Sequence, residues 1–258
     1  SLLPGLVADA RFYTRRGAES VRLFELGVAF GRRPGAEGAE GVVEREAVGI
    51  VCGGAVGTPW ERRRELDLFD LKGAVEAVAE AAGVAIEARP AGEELKGFLA
   101  GAAAELRVDG RRVGLLGHLD PEAGSDDDPY PLYLAEVELA ALEADPEALR
   151  AAREVTAPPR LPGIEADLTL THSVDVPWAE IEATVREAAA PELVRFRLKD
   201  RYTGRGVPDG AVNTTLTFLY HGGERQLTQE EVNEKQQALA ARLEERFGFA
   251  GGREEAAR

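Results

Sequence analysis

Methionine is missing from this chain, cysteine occurs once, histidine three times, and aromatic residues account for only 6% of the 258 positions. A single cysteine makes no internal disulfide. Cys52 ends the apolar run Val48-Gly49-Ile50-Val51-Cys52, the setting of a buried, inert thiol in a reducing compartment, and a cytoplasmic location is the expectation. His118, His172 and His221 lie far apart and none belongs to an H-x-x-x-H or C-x-x-C spacing, so no zinc site is expected. Runs of about 18 apolar residues are also missing, which gives no signal for a membrane-spanning helix. The glycine-rich stretch Gly53-Gly54-Ala55-Val56-Gly57 lacks the Lys-Ser/Thr of a phosphate cradle and reads as turns. The opening Ser1-Leu2-Leu3-Pro4-Gly5 has no basic segment and no cleavage site, so no export signal is read there. Starting inside an apolar segment without Met, it has the look of a piece of something longer.

Acid is what the chain has in excess. The formal net charge is −15, which weighs against a polyanionic partner. The imbalance is uneven, however. Residues 1–156 carry 18 basic against 29 acidic side chains, and residues 157–258 carry 13 against 17, so RNA contact is to be sought in the second part. The acidic stretch Ser125-Asp126-Asp127-Asp128-Pro129 reads as a solvated loop.

The segment Ala157-Pro158-Pro159-Arg160-Leu161-Pro162-Gly163 disfavours both helix and central strand and marks a domain boundary. Before it, Val21–Phe30 and Val42–Cys52 have strand composition, and Leu106–Gly117 reads as a hairpin turning at Asp109-Gly110. Phe69–Ala82 repeats apolar residues at helical spacing and stops at Gly83, and Leu132–Leu139 is a further strand. The sum is an α+β domain with an antiparallel sheet. After the boundary, strict alternation over Asp167–Val174 puts Leu168, Leu170, His172 and Val174 on one face, making His172 a core histidine. A helix over Pro177–Ala189, strands over Val194–Tyr202 and Asn213–Tyr220, and a helix opened by the capping box Thr228-Gln229-Glu230-Glu231 follow. That order is most of a ferredoxin-like split βαβ unit.

The segment Arg195-Phe196-Arg197-Leu198-Lys199-Asp200-Arg201-Tyr202 carries the most information. Side chains two apart on a strand share a face, so regular alternation makes Arg195, Arg197, Lys199 and Arg201 one basic stripe and turns Phe196, Leu198 and Tyr202 into the core. A sheet face left open by a two-layer fold and lined by cations and threonine hydroxyls suits an RNA backbone. A solvated outer face is the plainer reading of the same residues. Catalytic assignments find no foothold, because acidic residues are too many for any one pair to stand out.

Several segments, taken in order, resemble one family. Ser1-Leu2-Leu3-Pro4-Gly5-Leu6, Leu23-Phe24-Glu25-Leu26-Gly27, Phe69-Asp70-Leu71-Lys72-Gly73-Ala74-Val75-Glu76 and Gly114-Leu115-Leu116-Gly117-His118-Leu119-Asp120-Pro121 look like successive signatures of the bacterial phenylalanyl-tRNA synthetase β subunit. Asp167-Leu168-Thr169-Leu170, Asp200-Arg201-Tyr202-Thr203-Gly204, Val207-Pro208-Asp209-Gly210 and Arg225-Gln226-Leu227-Thr228-Gln229-Glu230-Glu231-Val232 are similar to that family's anticodon-binding domain. Departures occur at Ala166, where the family usually has Arg, at Lys199 in place of Phe, and at Gln226 in place of Thr.

The resemblance implies a class II synthetase-like, non-catalytic domain over residues 1–156 and a ferredoxin-fold anticodon-binding domain over 157–258. It also implies a catalytic α subunit as partner, tRNA(Phe) as the RNA, and an α2β2 assembly at full length. Class II enzymes hold ATP with an Arg-x-Glu after the strand that ends here at Phe30, and with an Arg on a later glycine-rich strand. Here Gly31-Arg32-Arg33-Pro34 offers Arg without that Glu, and Gly114–Gly117 leads into His118 rather than Arg. The expectation is that this chain binds no cofactor and that ATP and Mg belong to the α-subunit active site. Arg195, Arg197, Lys199 and Arg201 are the expected RNA contacts, with Asp200 and Tyr202 as fold supports. Two other classes stay open, a class II-like small-molecule ligase and a stand-alone RNA-binding or interaction module.

Overall fold

The computed structural model describes residues 1–32, 35, 41–57, 60–92, 95–122, 128–142 and 160–249. It divides into two compact units, Ser1–Val155 and Thr156–Arg258. The boundary prolines Pro158 and Pro159 lie outside the described residues.

In the first unit the order is α1 (Leu3–Thr14), β1 (Ser20–Arg32), β2 (Val42–Val56), β3 (Arg64–Glu65), α2 (Leu68–Ala81), β4 (Glu87–Pro90), β5 (Phe98–Val108), β6 (Arg111–Leu119) and β7 (Leu132–Glu138). The strands form an antiparallel sheet in the order β1-β2-β7-β6-β5-β4, with β3 paired to β2. Helices cover both faces. Leu3, Leu6 and Ala10 of α1 pack on Val21, Val51, Leu132 and Leu134, while Leu71, Val75 and Ala79 of α2 pack on Val48, Cys52, Leu116, Ala135 and Val137. Neighbours such as Val51 and Cys52, or Leu134 and Ala135, fall to opposite cores, as the two-residue period of a strand requires.

Local chemistry explains where these elements begin and end. Asp67 caps α2 by accepting from the Phe69 and Asp70 backbone N–H groups, and Asp70 in turn accepts from the Asp67 N–H. The Arg64 guanidinium forks onto Asp70 with two hydrogen bonds of 2.6 Å and, with other hydrogen bonds, holds that carboxyl down at about 2. The β5–β6 hairpin turns at Asp109-Gly110, both with positive φ (49° and 77°), as a two-residue turn of primed type demands.

The sequence reading missed one element of this unit, and two of its readings need correction. Ser1-Leu2-Leu3-Pro4-Gly5 is the entry to α1, with Pro4 in the first turn, where its missing N–H costs nothing. Gly53 to Val56 belong to β2 rather than to turns, since close approach of neighbouring backbone, not chain reversal, is what demands glycine there. Asp128 is no solvated loop residue. Its carboxylate accepts a two-pronged pair of hydrogen bonds from Arg11 of α1 (2.9 and 2.7 Å), with both side chains only 19% exposed. The residues just before it, 123–127, lie outside the described residues.

The second unit runs β8 (Ile164–Ser173), α3 (Trp178–Ala188), β9 (Leu193–Tyr202), β10 (Ala211–Tyr220) and α4 (Gln229–Phe247). The sheet order is β8-β10-β9, antiparallel throughout. Gly248 bridges to His172 and the Phe249 N–H donates to the Thr171 carbonyl at 3.2 Å, so the chain after α4 comes alongside the free edge of β8. Ile181 and Val185 of α3 and Val232, Leu239 and Leu243 of α4 close over Leu170, Leu216, Phe218 and Tyr220 on one sheet face. The architecture is α+β, with a ferredoxin-like second unit. Among the described residues no helix is long and apolar enough to cross a membrane.

Candidate nucleic-acid interface

Neither helix of this unit packs on the second face of the β8-β10-β9 sheet. Register fixes what it presents. On β8 and β10 the residues out of phase with the core are Glu165, Asp167, Thr169 and Thr171, and Asn213, Thr215, Thr217 and Leu219. Their polar groups join across the strands. Thr169 and Thr215 hydroxyls meet at 2.8 Å, Thr171 donates to Asn213 Oδ1 at 2.8 Å, and Thr217 donates to Asp167 Oδ1 at 2.7 Å.

On β9 alternation does not survive. Asp200 opposes Thr215 and Leu198 opposes Leu216, so Lys199 is an extra residue at a β-bulge, and a second irregularity follows at Val194. Arg195 and Arg197 oppose Leu219 and Thr217 on the open face. Lys199 also serves that face, because its Nζ reaches over β10 to the Asp167 carboxylate. With the Thr217 hydroxyl, that ion pair depresses the Asp167 pKa below the usual carboxylate range. Among the described residues, Arg195 and Arg197 form no ion pair.

Beyond the bulge the phase inverts. Arg201 opposes Thr214, a core-facing position, and its guanidinium lies 3.4 Å from the Val174 carbonyl. Arg201 is therefore removed from the stripe, which holds three cations and not four. Tyr202 opposes Asn213 on the open face and is 46% exposed, so it does not enter the core as regular alternation required. Its ring packs over the turn at Gly204, where an added Cβ would stand 2.8 Å from the Tyr202 hydroxyl. Asp200, expected as a fold support, is exposed on the open face, and its side chain has no hydrogen bond to a described residue. Phe196 does face the core, stacking on Phe218 at 6.1 Å, whereas Leu198, on the same face at the sheet edge, stays 45% exposed.

The face so built has a cationic margin on β9, a hydroxyl and amide ladder in the middle, and carboxylates on β8. Exposed guanidinium groups without carboxylate partners bind phosphate oxygens, and an accessible tyrosine ring gives a base something to stack on. In the first unit, Arg32 is exposed at the end of β1 and Arg33 lies outside the described residues. The His118 ring lies 5.1 Å from that of Tyr133, tilted by 35°, and burial lowers its pKa.

Comparison with known proteins gives two family matches along the chain. Residues 1–139 match the family described as the phenylalanyl tRNA synthetase beta chain CLM domain. The chain belongs to that family. Residues 159–251 match the ferredoxin-fold anticodon binding domain. Among curated relatives, the phenylalanine--tRNA ligase beta subunit of Synechococcus sp. (strain JA-3-3Ab) is 32% identical over 252 residues, covering 96% of this chain and 30% of the relative. That of Xanthomonas euvesicatoria pv. vesicatoria is 33% identical over 233 residues, 90% of this chain and 28% of its own. The Bacillus cereus subunit is 29% identical over 250 residues, again 96% and 30%. The chain thus spans under a third of the length of these relatives.

Proposed function

We propose that the chain is a non-catalytic portion of a phenylalanine-tRNA ligase β subunit, acting in the cytoplasm. In this reading its second unit contacts the anticodon region of tRNA(Phe), and the whole supports a catalytic α subunit within an α2β2 assembly. ATP and Mg belong to that α subunit, and no cofactor is assigned to this chain. The observation that carries the reading is an anticodon-binding fold whose sheet face opposite its own helices offers Arg195 and Arg197, neither of them ion-paired with a described residue.

Phosphate contacts from this face position the RNA and do not read its sequence. Gripping the anticodon end at a fixed place limits where the acceptor end can travel, which lowers the entropic cost of reaching a distant active site. Tyr202 adds a sequence-tolerant stacking surface beside the cations. The test is binding of this chain to tRNA(Phe) across a salt series. The triple variant Arg195→Ala/Arg197→Ala/Lys199→Ala is expected to weaken binding and to flatten the dependence of log K on log salt by about 1 for each phosphate no longer neutralised. Arg201→Ala, on the other face, is expected to leave that slope unchanged. A triple variant with the parent slope would sink the reading.

A further inference from the structure

The first sheet holds a cavity of about 350 Å³ on the face that carries α1. Register sets its floor and walls. Ala47 of β2 and Glu138 of β7 are opposed, and both are in phase with Val51 and Leu134, which pack under α1. Arg45 and Glu136 continue the same face two residues along their strands, and Ala29 of β1 opposes Arg45. Small side chains are what leave the hollow, for its floor is the buried pair Ala29 and Ala47, with Leu2 packed against them. Nearer α1 the same face has Gly27 and Gly49, and the space above them is filled: an added Cβ would stand 3.1 Å from Leu2 at Gly27 and 2.7 Å from Leu6 at Gly49. The chain's own leucines close one end of the hollow and leave the end at Arg45 and Glu138 open.

The charges around this hollow do not satisfy one another. Arg45 and Glu138 stand diagonally across β2 and β7, a spacing of roughly 7 Å that long side chains can bridge, yet neither forms an ion pair with a described residue. Glu136 uses one oxygen, Oε2, to accept from the Ser1 hydroxyl at 2.8 Å and from the Leu2 N–H at 2.6 Å, and its Oε1 accepts from no described residue. Arg112, on the β6 side, is already drawn to Glu105 at 3.3 Å. Two half-buried carboxylates beside an uncommitted guanidinium, over an apolar floor, leave places for one cation and one anion within a single small molecule. We infer that the cavity binds a small zwitterion, an α-amino acid with an apolar side chain. Its ammonium lies between Glu138 and Glu136 Oε1, its carboxylate takes the planar fork of Arg45, and its side chain rests on Ala29, Ala47 and Leu2. Ligands of one charge fit worse, because a dication sets a positive group against Arg45 and a dianion meets two carboxylates. This site stands apart from the RNA reading of the second unit.

Isothermal titration of the 258-residue chain with L-leucine as the probe is expected to show one site with a dissociation constant of about 1 mM or below. Two fragments of the probe separate its charges: 3-methylbutylamine is leucine without the carboxylate, and 4-methylpentanoate is leucine without the ammonium. Each is expected to bind the parent chain at least about tenfold more weakly than leucine. Arg45→Ala is expected to bring leucine down to the affinity of 3-methylbutylamine, and Glu138→Gln to bring it down to that of 4-methylpentanoate. Both side chains reach solvent, so the variants are expected to keep the parent circular dichroism. A parent chain that takes up no leucine to about 20 mM, fragments that bind it as well as leucine does, or an Arg45→Ala variant that keeps the parent preference for leucine over 3-methylbutylamine would each overturn the inference.

Discussion

His172 is 1% exposed, and both ring nitrogens have partners: Nδ1 lies 2.7 Å from the Ser173 carbonyl and Nε2 lies 2.7 Å from the Thr214 hydroxyl. A carbonyl only accepts, so Nδ1 carries the proton and Nε2 accepts from Thr214, the neutral tautomer. Burial is the largest influence on its pKa and lowers it, the Ser173 carbonyl opposes, and the Arg201 guanidinium, brought to this side by the bulge, lowers it further. Between that depressed value and the unfolded value near 6.5 the unfolded chain binds more protons than the folded one. Stability contributed by the neutral ring is therefore complete above about pH 6.5 and declines as pH falls through the window, by at most about 1.4 kcal/mol per pH unit. Urea unfolding at pH 7.5 and 5.5 is expected to show this loss. A His172→Gln variant, whatever its absolute stability, is expected to show a smaller difference between the two. Equal pH sensitivity in both proteins would count against His172 as the titrating group.

Helix α4 begins with a reciprocal cap: the Glu231 N–H donates to Thr228 Oγ1 at 3.2 Å, the Thr228 N–H donates to the Glu231 carboxylate at 2.9 Å, and Arg225 anchors that carboxylate at 2.8 Å. Thr228→Ala is expected to cost about 1 kcal/mol, read as a lowered urea midpoint with unchanged m-value. This cap was legible because its chemistry is local, as were the stop of α2 at Gly83 and the Asp109-Gly110 turn. Alternation in β8, with hydroxyls outward and Leu170 and His172 inward, was legible for the same reason. The bulge at Lys199 was not. Phe196, Leu198 and Tyr202 share one phase in the sequence, broken only by Asp200, and pairing with β10 is what shows that Lys199 is extra and that Arg201 and Tyr202 change sides. Gly54 makes the same point on β2. It looks like a turn residue, yet it is a strand residue at φ +86°, where an added Cβ would stand 2.3 Å from the Glu19 carbonyl oxygen. Gly54→Ala is expected to destabilise by more than about 1 kcal/mol in the same unfolding measurement, combining backbone strain with that collision. A variant as stable as the parent would show that β2 relaxes there.

On the proposed reading, a chain of net charge −15 binds RNA against its own mean field, so its affinity must come from a few local groups rather than from a broad basic surface. The first unit is the more acidic part, and on the open face of the second unit Glu165 and Asp167 flank the cations of β9. On the proposed reading, the phosphates neutralised are the three served by Arg195, Arg197 and Lys199. Lys199 must also exchange Asp167 for a phosphate, which reduces its share. Counterion release then gives a slope of log K against log salt between about −2 and −3, from roughly 0.7 to 0.9 per phosphate. A measured slope steeper than about −4 would require cations beyond this stripe. Because the stripe is so short, each removal takes away a large fraction of the total slope, and single alanine variants of Arg195 and Arg197 are expected to be separately resolvable in the same titration. Stacking on Tyr202 involves no counterion and is expected to leave its trace differently: Tyr202→Ala should lower affinity at every salt concentration while leaving the slope as it was.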